Sequence, residues 1–201
     1  MRKKTFAPPT PRSKRALALA LSAALLAAGT AGAVTLSGYD LYVKDDTAKG
    51  GAALRSDTAI TRTDIDGLTS NVVHTDKAPY EAKGGAIYSD ASVSLTRSGK
   101  TLTVKSNQAQ GKGSWRDARG GAIFAGGSVT LDAGSVTLQE NKATTDSDYL
   151  VEAFGGAIYS SGSVNVTADG ALTVKGNGAD GMATPSPPSG ACWTSKPSRS
   201  R

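Results

Sequence analysis

A chain of 201 residues that holds one cysteine, Cys192, one histidine, His74, and only 5% aromatic residues has few of the usual tools of a compact secreted enzyme. A lone cysteine excludes an intrachain disulfide framework, so cohesion has to come from burial and hydrogen bonding. A lone histidine, which the pattern puts in a connecting loop, leaves no multi-histidine zinc site and no histidine-centred triad in the usual form. Long apolar runs are missing too: the one from Ala16 to Ala28 is too short to cross a bilayer as a helix.

That run follows a basic start (Arg2, Lys3, Lys4, Arg12, Lys14, Arg15) and leads to Ala31-Gly32-Ala33. Basic head, apolar middle and small-x-small end predict a secretory signal peptide over residues 1–33, cut before Val34; an uncut membrane anchor is the alternative. An export signal without disulfides fits a Gram-negative bacterium. The formal charge of +6 comes from 23 basic and 17 acidic residues. Setting aside the six basic residues before Ala16 and the three after Met182 leaves 14 against all 17 acids, a net of −3. The body therefore lacks the basic footprint of a nucleic-acid binder.

What the chain does have is repetition. Gly84-Gly85-Ala86-Ile87 returns as Gly120-Gly121-Ala122-Ile123 and as Gly155-Gly156-Ala157-Ile158, with a looser copy at Gly50-Gly51-Ala52-Ala53, so the first glycines are spaced by 34, 36 and 35 residues. A fixed period in this range marks a stacked-repeat architecture. A second signature follows in each unit: Leu68-x-x-Asn71, Val104-x-x-Asn107, Leu138-x-x-Asn141 and Val174-x-x-Asn177.

Between the signatures lie short alternating runs such as Ala86-Ile87-Tyr88, Val93-Ser94-Leu95 and Leu102-Thr103-Val104, the period of half-buried strands. Ser98-Gly99-Lys100, Asp132-Ala133-Gly134 and Ala168-Asp169-Gly170 read as tight turns between the second and third runs. Helix is disfavoured by the alternation of β-branched with small polar residues. An antiparallel sandwich gives the same period. Register favours a parallel solenoid instead, because Ile87, Ile123 and Ile158 stand at one offset and Val93, Val129 and Val164 at another. The segment Val34 to Lys49 reads as the second half of a further repeat.

The motif residues then take structural roles. The glycine pair allows a corner with positive φ and close approach of the next rung, and the isoleucine buries behind it. Asn71, Asn107, Asn141 and Asn177 close the third strand at a bend, where asparagine tolerates left-handed backbone and its amide can bond its counterpart one rung away. The next glycine pair begins 13, 13 and 14 positions after Asn71, Asn107 and Asn141. These connections are polar and variable, which makes them the natural seat of specificity. Trp115 and Arg116 in one, with Tyr149 in the next, form a candidate contact patch for a glycan or protein.

No catalytic, cofactor or metal residues emerge. Asp64-Ile65-Asp66-Gly67 lacks the later glutamate of a calcium loop and reads as a turn, and Asp146-Ser147-Asp148 is acidic without the spacing of a metal loop. Asn165-Val166-Thr167 falls in an expected strand. A stack of about four coils at roughly 4.8 Å per rung is short, and both its ends expose strand edges unless capped, so a monomer is expected to be marginal or prone to associate.

The GGAI and xxN signatures from about Gly50 to Ala179 resemble the repeats of the chlamydial polymorphic outer membrane proteins and related autotransporter passenger domains, with Leu or Val where the family's second motif has Phe. The resemblance implies a right-handed parallel β-helix over residues 34–181, exported through the inner membrane and displayed on the outer membrane surface or secreted. It further implies a noncatalytic role in adhesion, with a host or neighbouring-cell surface protein or glycan as partner. A full-length relative is expected to end in a β-barrel translocator, for which the text after Ala179 has no strands of about ten residues. Residues 182–201, rich in Pro and Ser, read as a disordered tail or a shifted reading frame. Two other functions remain open: a polysaccharide-acting β-helix lyase or hydrolase, and a nonfunctional remnant of a longer gene.

Overall fold

The computed structural model describes residues 33–44, 49–76, 79–112, 117–146 and 152–181. The predicted signal peptide, apart from Ala33, and the tail from Met182 lie outside the described residues. Within them every strand pairing is parallel, and the chain is a β-solenoid.

An N-terminal half-turn consists of β1 (Val34–Ser37) and β2 (Asp40–Tyr42). The first full turn follows as β3 (Leu54–Ser56), β4 (Ile60–Arg62), β5 (Ile65–Thr69) and β6 (Val72–Thr75). The second is β7 (Ala82–Lys83), β8 (Ile87–Ser89), β9 (Val93–Lys105) and β10 (Gln108–Gly111). The third is β11 (Ala118–Arg119), β12 (Ile123–Ala125), β13 (Val129–Gln139) and β14 (Lys142–Thr145). The fourth is β15 (Ala153–Phe154), β16 (Ile158–Ser160), β17 (Val164–Ala168), β18 (Leu172–Lys175) and β19 (Gly178–Asp180).

Stacking the turns makes four sheets. Sheet I runs β1-β5-β9-β13-β17, with β4 also on β9 and β18 also on β13. Sheet II runs β2-β6-β10-β14-β19, sheet III β7-β11-β15 and sheet IV β3-β8-β12-β16. Like stacks on like, as the period requires: Ile87 pairs Ile123 and Ile123 pairs Ile158, while Val93, Val129 and Val164 form the next column. The half-turn joins in the expected way, β1 on β5 and β2 on β6.

Three expectations need correction. The connections after each asparagine are not simply loops, because they open with β6, β10 or β14 and close with β7, β11 or β15. Their interior positions are Val73, Ala109 and Ala143, with Ala82 and Ala118 opposite, and together with Val43 and Ala52 these form a second, narrower core. Small side chains let sheets II and III approach one another, and a column of alanines gives too weak an apolar signal to announce strands. In the second and third turns the expected break between runs is bridged, so β9 and β13 continue through Gly99 and Gly134; of the three expected breaks, only that of the fourth turn is present, at Asp169-Gly170. Asp64 to Gly67 is not a turn either, since β5 begins at Ile65.

The main core lies between sheets I and IV, where Leu95, Leu102, Val104, Leu131 and Val136 are completely buried. Each such side chain contributes about 1.5–3 kcal/mol of hydrophobic stabilisation. The glycine pair makes the corner that leads into sheet IV. Gly84 has φ of +57°, and a Cβ on Gly85 would lie 2.2 Å from the carbonyl oxygen of Gly121 in the next turn. Only glycine satisfies both demands at that rung spacing.

Candidate contact surface

The second corner, between sheets I and II, is built by the asparagines, though not by a left-handed asparagine. The left-handed residue comes one position earlier: Ser70, Ser106 and Glu140 have φ of 54–55°, and Gly176 takes the same place with 64°. Bending the chain there turns the following carboxamide inward, where Asn71, Asn107 and Asn141 are completely buried. The Nδ2 of Asn71 donates to Oδ1 of Asn107 (2.9 Å), Asn107 to Asn141 (2.9 Å) and Asn141 to Asn177 (2.8 Å). The second Nδ2 hydrogen goes to a backbone carbonyl of the preceding turn, from Asn107 to Leu68 O at 2.8 Å, for example. Each Oδ1 also takes a backbone N–H of the previous turn, as Asn107 does from Asn71. A buried interior amide thus uses both donors and both lone pairs, which is why it can be buried without penalty. These asparagines are cohesive and sequestered, not available to a partner.

Between sheets II and III lie the connections that separate the described segments. Lys112 and Asp117 flank one connection, Asp146 and Glu152 the next, each standing beyond paired strands of neighbouring turns. Trp115, Arg116 and Tyr149 fall in these connections and lie outside the described residues.

Leading from these connections, the acid-Ala-base triplets Glu81-Ala82-Lys83 and Asp117-Ala118-Arg119 turn the alanine inward and the charges outward. Lys83 pairs with Glu81 at 2.7 Å, and Arg119 pairs with Asp117 at 3.1 Å and with Glu81 at 3.5 Å. In the fourth turn Phe154 replaces the base, and the Arg119 guanidinium lies 5.4 Å from its ring centroid. Beside these charges Tyr88, Phe124 and Tyr159 stack at 5.2 Å spacings and 6° interplanar angles. Lys83 stands 5.2 Å from the Phe124 ring. Stacked rings and an overlying cation are mutually attractive.

Sequence reasoning missed this strip, although its signal was present as an aromatic residue four positions after Gly84, Gly120 and Gly155. Burial, and then the hydrogen bond to Asp90, push the Tyr88 hydroxyl far above the usual tyrosine range. Burial acts to raise the Asp90 carboxyl, but the bonds from Lys49 and Tyr88 outweigh it and hold Asp90 below the usual carboxylate range. Lys49 reaches it at 2.9 Å.

Two other polar groups stand near the N-terminal end. His74 is on strand β6 rather than in a loop, with Nε2 3.3 Å from Asp40 and its ring 5.3 Å from Tyr42 in an edge contact. Arg62 Nε donates to Asp64 at 2.7 Å, and this bond holds the Asp64 carboxyl below its ordinary value. The next acid of that segment, Asp66, pairs with Arg97.

Because Gly67 interrupts the outward column between Thr35 and Thr103, sheet I carries an open depression of about 450 Å³ there, bordered also by Asp66 and Lys100. It collects none of the expected contact residues. Among the described residues, no group of three or more His, Cys, Asp or Glu converges to hold a metal ion. Compared with known proteins, the chain matches no protein-family model, no curated protein and no solved structure.

Proposed function

We propose that the chain is a noncatalytic, exported β-solenoid of passenger type, displayed on a cell surface or released, which contacts a host or neighbouring-cell protein or glycan through its variable connections. The observation that carries this reading is the shared corner between sheets II and III: strands on either side keep strict register from turn to turn while the intervening sequence changes completely. A regular scaffold that presents unlike segments in one column is suited to contact, and the aromatic and cationic strip runs alongside the same edge.

The test is binding of the purified chain to cells and to a glycan array. Trp115→Ala combined with Tyr149→Ala is expected to lower binding about tenfold or more, as loss of aromatic anchors does, with no change in thermal unfolding. Unaltered binding would count against the reading. Release of reducing ends or unsaturated products from acidic polysaccharides would replace it with a polysaccharide-acting enzyme.

A further inference from the structure

The two ends of the stack differ. At the N-terminal end the apolar residues are covered: Leu36, Val43, Leu54 and Ile60 are at most 5% exposed. The amide ladder also stops there, because Tyr39 holds the position where an asparagine would stand and offers only its backbone N–H, to Oδ1 of Asn71 at 3.1 Å. At the C-terminal end, Leu172 is 50% exposed and Val174 58%. Strands β17 and β18 each pair only with β13, so their other edges are unpaired among the described residues.

We infer that this end is the interface for a second copy of the chain, joined end to end about a two-fold axis. The spacing of the apolar residues supports the geometry. Val164 and Val166 of β17 and Leu172 and Val174 of β18 all stand at even positions and carry on the interior columns of β13. An antiparallel pairing of the two edges, with the axis at Asp169, sets Val164 opposite Val174 of the second copy and Val166 opposite Leu172. The outward Asn165 then faces Thr173. Directly opposed residues of an antiparallel pair share a face, so this register joins the two cores without placing an outward residue inside. Isologous contact closes on itself, so assembly ends at a dimer.

The same register sets Asp169 beside its own symmetry mate. Like charges directly opposite one another on paired strands are unfavourable, which gives the interface a specific weakness. Sedimentation equilibrium of the purified full chain over a concentration series is expected to show a reversible monomer–dimer equilibrium. Leu172→Lys should weaken dimerisation by about tenfold or more, since it places a charge against Val166. Asp169→Asn, in an exposed turn whose backbone bonds it leaves intact, should tighten it by about threefold or more. A monomer at every concentration, open-ended growth, or a dimer unmoved by both substitutions would overturn the inference.

Discussion

Val136 and Leu138 of the third turn are paired residue for residue with Leu172 and Val174 of the fourth. The first pair is 0% and 6% exposed, the second 50% and 58%. The alternation is the same in both stretches, Val136–Gln139 and Leu172–Lys175, and both are strand. What differs is that the third turn has a neighbour on each side. In a solenoid, hydrophobic stabilisation is a property of the contact between turns rather than of any turn, so a repeat can carry perfect core residues and still leave them in water. The asparagines repeat the lesson. Asn107 satisfies both its donors and acceptors between Asn71 and Asn141, whereas Asn177 donates only to Leu138 O and holds one Nδ2 hydrogen for which no described turn supplies a carboxamide.

The contrast between inner and terminal turns can be broken most severely at a glycine. A Cβ on Gly121 would lie 2.0 Å from the carbonyl oxygen of Gly156, whereas on Gly178 its closest neighbour would be an Asp180 carboxylate oxygen at 3.6 Å. Gly121→Ala is therefore expected to destabilise by more than ~3 kcal/mol or to prevent folding, as forced backbone displacement does, and Gly178→Ala by less than ~1 kcal/mol. Urea unfolding followed by circular dichroism measures both. Equal effects would mean that the fourth turn is as tightly constrained as the third.

A smaller difference is expected along the ladder. Asn107→Ala removes the acceptor of the Asn71 backbone N–H and amide and leaves those groups buried and unpaired, at a cost of about 2–4 kcal/mol. Asn177→Ala, at the half-exposed end, should cost about half as much. Similar losses at both positions, again by urea unfolding, would show that the terminal rung is already sealed by another turn or another molecule.

The smallest effect concerns pH and the N-terminal end. The Asp64 carboxyl is held below the ordinary aspartate value of 3.8, first by its hydrogen bond from Arg62. A depressed carboxylate stabilises the fold fully above the unfolded value, and that contribution is lost as the pH falls through the lower folded value. Amide exchange protection of the first turn should decline in that acid window while the second and third turns keep theirs. Asp64→Asn should remove the pH dependence. A uniform loss along the stack would mean that the turns unfold as one unit rather than from this end.

Much of the solenoid was legible in the sequence because its determinants are local and repeated. Two glycines per turn announce a corner that side chains cannot occupy, and isoleucine at a constant offset announces stacking. The asparagine ladder was legible for the same reason. The strands of sheets II and III were not, because alanines at Ala82, Ala109, Ala118 and Ala143 carry little hydrophobic contrast, and only the closeness of the two sheets makes them a core. His74 looked like a loop residue because its strand has polar neighbours. The aromatic strip of Tyr88, Phe124 and Tyr159 was visible as a period but read as part of alternating strands.

The sequence by itself determined that the chain winds, with what period, and which residues form the columns, since glycine sterics and side-chain alternation act within a few residues. Only the tertiary structure decided which columns are buried. The left-handed position falling one residue before each asparagine, the end of the amide ladder at Tyr39 and the exposure of Leu172 and Val174 all depend on what lies one rung away. That neighbour is some 35 positions distant along the chain, and burial is set by it alone.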